Sequence, residues 1–572
     1  MTLEQEQLMP PPYEAGMAII CKDLDKSNLQ AAAAAAAAAT ATQNNNNSKD
    51  STKDSDKQSN SKQSKSHKRK ESSLPLGERH LAVLRQELMV FLGNSGVLGS
   101  GMVVSMPSVT LNQLSDETQP FWLNKDEASW FASINNMACP LGGLMVSYFL
   151  DRIGRKYTIL LTNVIGLIGW LLLATSFLHT NRDLVYAQML VGRAFGGMMI
   201  GMFVSPVGVY SAEISLPRIR GRLILGTSIG LASGILLMYL LGYFIRHNVV
   251  LIASISCAYQ LAATLLVMPM PESPSWLLQK GRIELARRSL RYFRGLHRRD
   301  DDCVPEFEAE LTQMKMTADN SRDTAASESI SQAIRRPEVY KPLLMMIGFF
   351  GFQQACGVVV IIVYAVQIAQ RAGVTIDPVL VAVMLGVARI ITTFFMSSIF
   401  EKWGRRPAGI FSASGMGICM LFLATGGWCP STVGTWSWLP VVCIVAHIVF
   451  STMGMLTLPF IMISEVFPQS VRGSASGISV FFGMILAFIC LKIYPNMEAL
   501  LGTSNLFAFY AIVSFVAALF IYSFVPETRG RTLIEIEEHW RMGRRGRRAQ
   551  RASAAAVNNL KDVELHEVFL KK

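Results

Sequence analysis

G-R-A-F-G-G-M-M-I-G-M-F-V-S-P-V-G-V-Y-S-A-E-I-S-L-P-R-I-R-G-R, residues 192–222, runs from a Gly-rich apolar segment directly into a charged one holding Glu213 and Arg220-Gly221. Its pattern returns 252 residues later as L-P-F-I-M-I-S-E-V-F-P-Q-S-V-R-G, residues 458–473, with Glu465 and Arg472 again separated by six residues. Two further pairs keep nearly the same shift. D-R-I-G-R-K at 151–156 matches E-K-W-G-R-R at 401–406, 250 residues on, and P-E-S-P at 271–274 matches P-E-T-R-G at 526–530, 255 residues on. Three motifs recurring in one order at one period mark a duplicated unit.

The composition says where that unit sits. Of 572 residues, 51% are apolar and only 16% charged, a balance unlike that of soluble chains of this length. Twelve apolar runs are long enough to cross a hydrocarbon core: 88–109, 128–150, 157–178, 185–210, 219–245, 249–268, 340–369, 379–400, 408–427, 438–464, 474–494 and 506–525. Six fall in each repeat. The expected fold is therefore an all-α membrane protein, twelve transmembrane helices in two six-helix bundles. Its expected divisions are a disordered cytoplasmic tail (1–78), a first bundle (79–269), a helical cytoplasmic linker (270–339), a second bundle (340–525) and a C-terminal tail (526–572).

Charge sets the orientation. Loops after odd-numbered spans hold only Lys125, Arg182, Arg246 and Arg371, while Lys and Arg crowd the loops after even-numbered spans. The positive-inside rule then puts those basic loops and both termini in the cytoplasm. The net charge of +12 is a topology signal on this reading, and nucleic acid is not an expected partner. Nine scattered cysteines without C-x-x-C spacing read as free thiols. No metal or other cofactor is expected, and no phosphate loop or nucleophile constellation points to an enzyme. The single N-x-S/T sequon, at Asn46, falls in the cytoplasmic tail.

Within the spans, glutamines, charges and their absences carry the functional reading. Gln353 and Gln354 adjoin in the seventh span, where unpartnered amides are costly. Adjacent helical positions point about 100° apart, so one amide can face a cavity while its neighbour braces another helix. Arg193 and His447 lie 254 residues apart, in equivalent places of the two halves. No carboxylate lies near the middle of any span, which argues for transport without proton coupling. Asp151, Arg152, Arg155, Glu213, Arg220, Glu401, Arg405, Arg406, Glu465 and Arg472 all gather at predicted cytoplasmic ends, where pairs that form in one conformation and break in another can act as a gate. In this reading Asp151 faces the positive end of the next helix and pairs with an Arg across the bundle, and Glu213 and Arg220 have the same kind of opportunity one hairpin later. In the linker, the apolar and basic alternation of 275–296 predicts short surface helices, and residues 300–331 are expected to be mobile.

These motifs resemble the sugar porter family of the major facilitator superfamily, in its insect facilitated-trehalose and facilitative-glucose branch, over about residues 81–538. D-R-x-G-R-K is shared widely among major facilitators; P-E-S-P, Q-Q-x-x-G and P-E-T-R-G-R-T-L together mark sugar porters. The resemblance implies a central site reached alternately from either side, with Gln353 and Gln354 on sugar hydroxyls and Tyr364 at the motif's aromatic end. It also aligns Ser228 with a fifth-span Gln and Phe460 with a tenth-span Trp. Val359, Val363, Gly483 and Ala487 stand where the family carries polar or aromatic groups. Each unmet hydroxyl in a dry pocket costs roughly 1–3 kcal/mol, so these replacements imply weaker hexose binding or another solute. The expectation is a facilitative sugar uniporter for trehalose or a hexose, monomeric, embedded in the bilayer of the plasma membrane. An endosomal membrane, suggested by the resemblance of E-S-S-L-P-L at 71–76 to sorting signals, is the alternative. A non-transporting nutrient receptor of the same fold, or a carrier for a less hydroxylated solute, are the alternative functions.

Overall fold

A computed structural model describes residues 76–203, 206–216, 218–246, 248–296, 305–324, 335–428, 438–468, 471–531 and 533–541. Residues 1–75, with the sequon and the N-terminal basic run, residues 542–572 and the side chain of Glu401 lie outside the described residues. Twenty α-helices and a single 3-10 turn make up the described regular structure, and among the described residues no strand occurs.

The first six spans are α1 (Leu76–Leu114), α2 (Lys125–Arg152), α3 (Arg155–Thr175), α4 with α5 (Arg182–Phe203 and Pro206–Ile214), α6 (Arg220–Phe244) and α7 (Val249–Val267). Three linker helices follow: α8 (Pro274–Gln279), α9 (Ile283–Arg294) and α10 (Pro305–Thr324). The seventh span is broken into α11 (Pro337–Ala355), α12 (Val358–Val363) and α13 (Ala365–Arg371). Then come α14 (Pro378–Trp403), α15 (Arg405–Trp428), α16 with α17 (Leu439–Met453 and Leu458–Val466), α18 (Arg472–Leu501), α19 (Thr503–Phe524) and α20 (Leu533–Arg541).

Ten of these segments are long and apolar enough to span a membrane by themselves among the described residues. The other two of the twelve are α2 and the seventh span. α2 carries Lys125, Asp126, Glu127, two asparagines and several small residues, which dilute its hydropathy; the seventh span is interrupted at Gly357 (φ +84°) and at Tyr364.

Local chemistry sets several of the ends. Asn124 and Glu127 form a reciprocal capping box that starts α2, and Asn248 accepts from Leu251 N–H (2.9 Å) to start α7. Small residues bring the spans together. A Cβ at Gly201 would strike the Cys139 carbonyl of α2, and one at Gly234 of α6 the Leu98 carbonyl of α1, the close backbone approach that lipid-embedded helices use in place of a hydrophobic drive. In the linker, the amphipathic α9 has Gly295 at its left-handed end and is pinned to α1, where Gln86 Nε2 donates to the Phe293 carbonyl (2.8 Å). Residues 300–331, expected to be mobile, include the helix α10. Its Glu308 and Glu310 pair with Arg287 and Arg294 of α9, while Phe307 and Leu311 are buried; that apolar and acidic spacing supplies the partner that α9 needed.

Candidate functional site

The three repeated motifs converge on one constellation in each half. In the first, Arg155 at the start of α3 donates to Glu213 of α5 from Nε (3.1 Å) and Nη2 (2.7 Å), and Ser273 donates from its hydroxyl to the same carboxylate. Glu272, from P-E-S-P, accepts from the backbone N–H of Arg155 (2.9 Å), Lys156 (3.1 Å) and Ser273 (2.8 Å). A carboxylate thus closes the open N-terminus of α3, where unsatisfied N–H groups and the helix dipole favour negative charge. Burial pushes the Glu272 carboxyl above its ordinary range, opposed by those backbone donors.

The second half repeats the arrangement with substituted parts. Arg405 Nη2 donates to Glu465 (2.7 Å), Thr528 donates to the other oxygen of Glu465, and Glu527 accepts from Arg405 N–H (3.0 Å) and Arg406 N–H (3.0 Å). In both halves the motif glycine has a left-handed backbone, Gly154 at φ +97° and Gly404 at φ +87°. A Cβ on Gly154 would collide with Glu272 Oε2, and one on Gly404 would lie 2.8 Å from Glu527 Oε2. Glycine is required twice over, for the turn and for the approach of the carboxylate.

Several residues read as gate members stand elsewhere than the spacing suggested. The group at the α3 N-terminus is Glu272 rather than Asp151, whose carbonyl accepts from Trp276 Nε1 (3.1 Å) and whose side chain is exposed. Glu213 meets Arg155, not Arg220; Arg220 turns back to the Ser215 carbonyl (3.5 Å), and Arg472 likewise to Phe467 (3.3 Å). Arg152 stacks on Tyr148 (4.5 Å), and Arg406 donates to the Tyr522 carbonyl. Sequence reasoning quoted the motifs that contain Glu272, Ser273, Glu527 and Thr528 without counting these residues among the site; their 255-residue shift was the signal that could have found them.

Gln353 and Gln354 sit, both buried, at the end of α11 before the break in the seventh span. Gln353 Nε2 donates to the Leu456 carbonyl (2.9 Å), freed by the break between α16 and α17. Gln354 Nε2 reaches Gln353 Oε1 at 3.5 Å, and Gln354 Oε1 is buried without a partner. One amide braces a neighbouring span while the other keeps an open acceptor. Phe460 of α17 meets Phe350 of α11 edge-on (5.3 Å) and is partly exposed. Tyr364 is buried against Tyr494 (4.6 Å), and its hydroxyl donates to the Leu491 carbonyl (3.4 Å). Further along the span, both amide atoms of Gln367 are buried and unpartnered. In the first half Ser228 is exposed, whereas Thr227 Oγ1 beside it and Asn94 Oδ1 on α1 are buried and unpartnered. Arg193 is a tie between spans, donating to the carbonyls of Val103 (2.6 Å) and Phe131 (3.1 Å); His447 is fully buried in α16.

The two halves meet away from the motif clusters. Tyr239 of α6 donates to the Ile362 carbonyl (2.7 Å), and Val366 N–H donates to Ser108 of α1 (3.2 Å). Lys492 of α18 pairs with Asp126 and donates to Ser129 (2.8 Å), while Arg246 pairs with Asp377. At the motif end, each ion pair among the described residues joins elements of the first half and linker, or of the second half, alone.

Twelve spans in two repeated halves, each with its own charge cluster at one end, and a broken span presenting a buried open acceptor, define a multi-pass membrane transporter. A family model for "Sugar (and other) transporter" matches residues 32–540, and the chain belongs to that sugar transporter family, whose members are transporters and not enzymes. It is 30% identical over 457 residues to the "Facilitated trehalose transporter Tret1" of Polypedilum vanderplanki, covering 79% of this chain and 86% of that one. It is also 30% identical over 461 residues to the Tret1 of Drosophila mojavensis, of whose length it spans about half, 51%. Among solved structures, the inward open conformation of the xylose transporter XylE from E. coli matches 79% of this chain and 99% of its own, with a TM-score of 0.65 at 22% identity, a likeness of fold.

Proposed function

We propose that this protein is a facilitative sugar uniporter, for trehalose or a hexose, working by alternating access. The observation that carries the reading is the buried, unpartnered Gln354 Oε1 at the broken seventh span, held in place by the Gln353 bond to Leu456. An acceptor with no internal partner in a dry span is costly unless a solute meets it, and a hydroxyl-rich solute does so. Gln353, Ser228, Phe460 and Tyr364 belong to the same proposed site; Phe460 supplies an aromatic face against which a sugar ring packs. Likeness to the insect facilitated trehalose transporters supports trehalose.

In this proposal the molecule rests with its motif end open, because the cross-half bonds of Tyr239, Ser108 and Lys492 all lie at the other end. The clusters around Arg155–Glu213 and Arg405–Glu465 hold each half rigid at the open end, and Arg220, Arg472, Arg152, Asp151, Glu401 and Arg406 belong to the same proposed gate network. The motif end faces the cytoplasm, both termini are cytoplasmic, the membrane is the plasma membrane, and the working unit is a monomer whose bundles are residues 79–269 and 340–525.

The test is uptake of labelled trehalose, glucose and fructose by cells with verified surface delivery, with and without an imposed pH gradient. Saturable uptake that ignores the gradient, with its apparent affinity lowered in Gln354→Ala, is the expected result. Uptake that follows the gradient would overturn the uniport, and no uptake of any sugar at verified surface density would overturn the substrate class.

A further inference from the structure

On the flank of the first half, at the motif end, lies a groove of about 920 Å³ between the base of α3 and the linker helices α8 and α9. Its size is within the range on the order of 300–1,000 Å³ that small-molecule sites occupy. The floor is apolar, formed by Leu160, Leu161 and Val164 of α3 with Leu285 of α9. The rim is basic: Arg152, Arg282 and Arg288 line it. Arg282 and Arg288 are exposed, and among the described residues neither makes an ion pair. The acidic group of the lining, Glu272, is committed to backbone donors of α3 and to Ser273. Asp151 and Glu284 are exposed nearby on α2 and α9. The floor continues upward as a stripe, since Tyr157, Val164, Ile168 and Leu171 are exposed at helical spacing on one face of α3. That stripe is the face of a spanning helix turned to hydrocarbon.

We propose that this groove is a binding site for one anionic phospholipid of the adjoining leaflet. Its phosphate sits between Arg282 and Arg288, and an acyl chain lies over Leu161 and Val164 along the α3 stripe. Two features fix the occupant as a lipid. Guanidinium groups match phosphate oxygens by paired donors, and the apolar floor opens onto the membrane-facing side of α3, where a soluble anion gains nothing. A basic pocket beside spanning helices is the geometry that retains charged head groups. The lipid would bridge α9 to the base of α3, beside the Glu272 contact with the α3 N-terminus.

The experiment uses the full-length protein in nanodiscs of phosphatidylcholine with a minor fraction of phosphatidylglycerol, stripped by detergent washing, with retained lipid measured by mass spectrometry. Phosphatidylglycerol should be retained above its bulk ratio. The double variant Arg282→Gln/Arg288→Gln should lose that enrichment by about tenfold or more, while Arg282→Lys/Arg288→Lys keeps part of it. Leu161→Trp, which fills the floor and leaves both arginines, should also lower retention. Soluble glycerol phosphate in excess should fail to displace the lipid. Equal retention of neutral and anionic lipid by the wild type overturns the proposal, as does enrichment untouched by the arginine pair. Displacement by glycerol phosphate with full binding in Leu161→Trp would make it a soluble-anion site and overturn it equally. Both arginines are exposed, so the double variant tests binding rather than folding, and its elution as a monodisperse peak checks this.

Discussion

Arg155 keeps only 7% of its side chain exposed and Glu213 17%, so each holds the other's charge in a nearly dry place. Removing one partner of a fully buried pair costs roughly 3–5 kcal/mol because the remaining charge stays unpaired. The Arg155 bond to the Leu150 carbonyl (3.3 Å) and the residual exposure reduce this. Glu213→Gln should therefore destabilise by about 1–3 kcal/mol, seen as a lowered thermal midpoint of purified protein and a slower transport rate at equal surface density; unchanged values of both would sink the assignment. Glu272 gives a pH test. Its carboxyl protonates at higher pH than an unfolded carboxylate, so just above the ordinary carboxylate range the folded state holds the extra proton, and this residue's contribution to stability falls as pH rises. Glu272→Gln should flatten that part of a plot of thermal midpoint against pH relative to wild type. Gln354→Ala should weaken apparent affinity by about 1–3 kcal/mol, roughly 5- to 150-fold, with the midpoint little changed, whereas Gln353→Ala should lower the midpoint because it also drops the bond to Leu456. At this scale the residue types were legible and their partners were not. Glu213 and Arg220 are close in sequence, yet the guanidinium that reaches Glu213 starts a helix 58 residues earlier, and no local spacing reports that.

The elements were legible where periodicity and length alone decide them, as in α6, α7 or α19, uninterrupted apolar helices of 25, 19 and 22 residues. They were less so where function interrupts them. The seventh span reads as a single apolar run because Val358–Val363 is as hydrophobic as any helix, and the break comes from Gly357 and from the packing of Tyr364 on Tyr494. Likewise α10 reads as polar chain until α9 supplies Arg287 and Arg294 for its glutamates. Between elements, the bond from Tyr239 of α6 to the Ile362 carbonyl of α12 joins the halves. Tyr239→Phe removes this hydrogen bond and no ring packing, a loss of about 0.5–1.5 kcal/mol, or roughly 2- to 12-fold in the balance between states. Cysteines placed at the Tyr239 end should then label faster with an impermeant thiol reagent, and an unchanged rate would show that this contact does not hold that end closed.

For the whole molecule, the duplication announced by three motifs at one period accounts for the architecture, because in each half those motifs are the parts of one constellation. Relative placement of the halves was not legible, since repeats report likeness and not contact. The pairing of Lys492 with Asp126 supplies a test at this scale. Asp126→Cys with Lys492→Cys, joined by a reducible bifunctional thiol reagent, should arrest uptake, and reduction should restore it; transport that continues through the cross-link would rule out rocking of one half against the other. A last consequence concerns synthesis. Glu272-Ser273 and Glu527-Thr528 each follow the final span of their half, so the residues that close the cluster are the last of its parts to leave the ribosome. The Arg155 and Lys156 N–H groups and the Glu213 carboxylate that they bind have by then been made, and the first half can set its charges before the second half exists. Each half is thus sealed by its own tail end, in the order in which the chain is born.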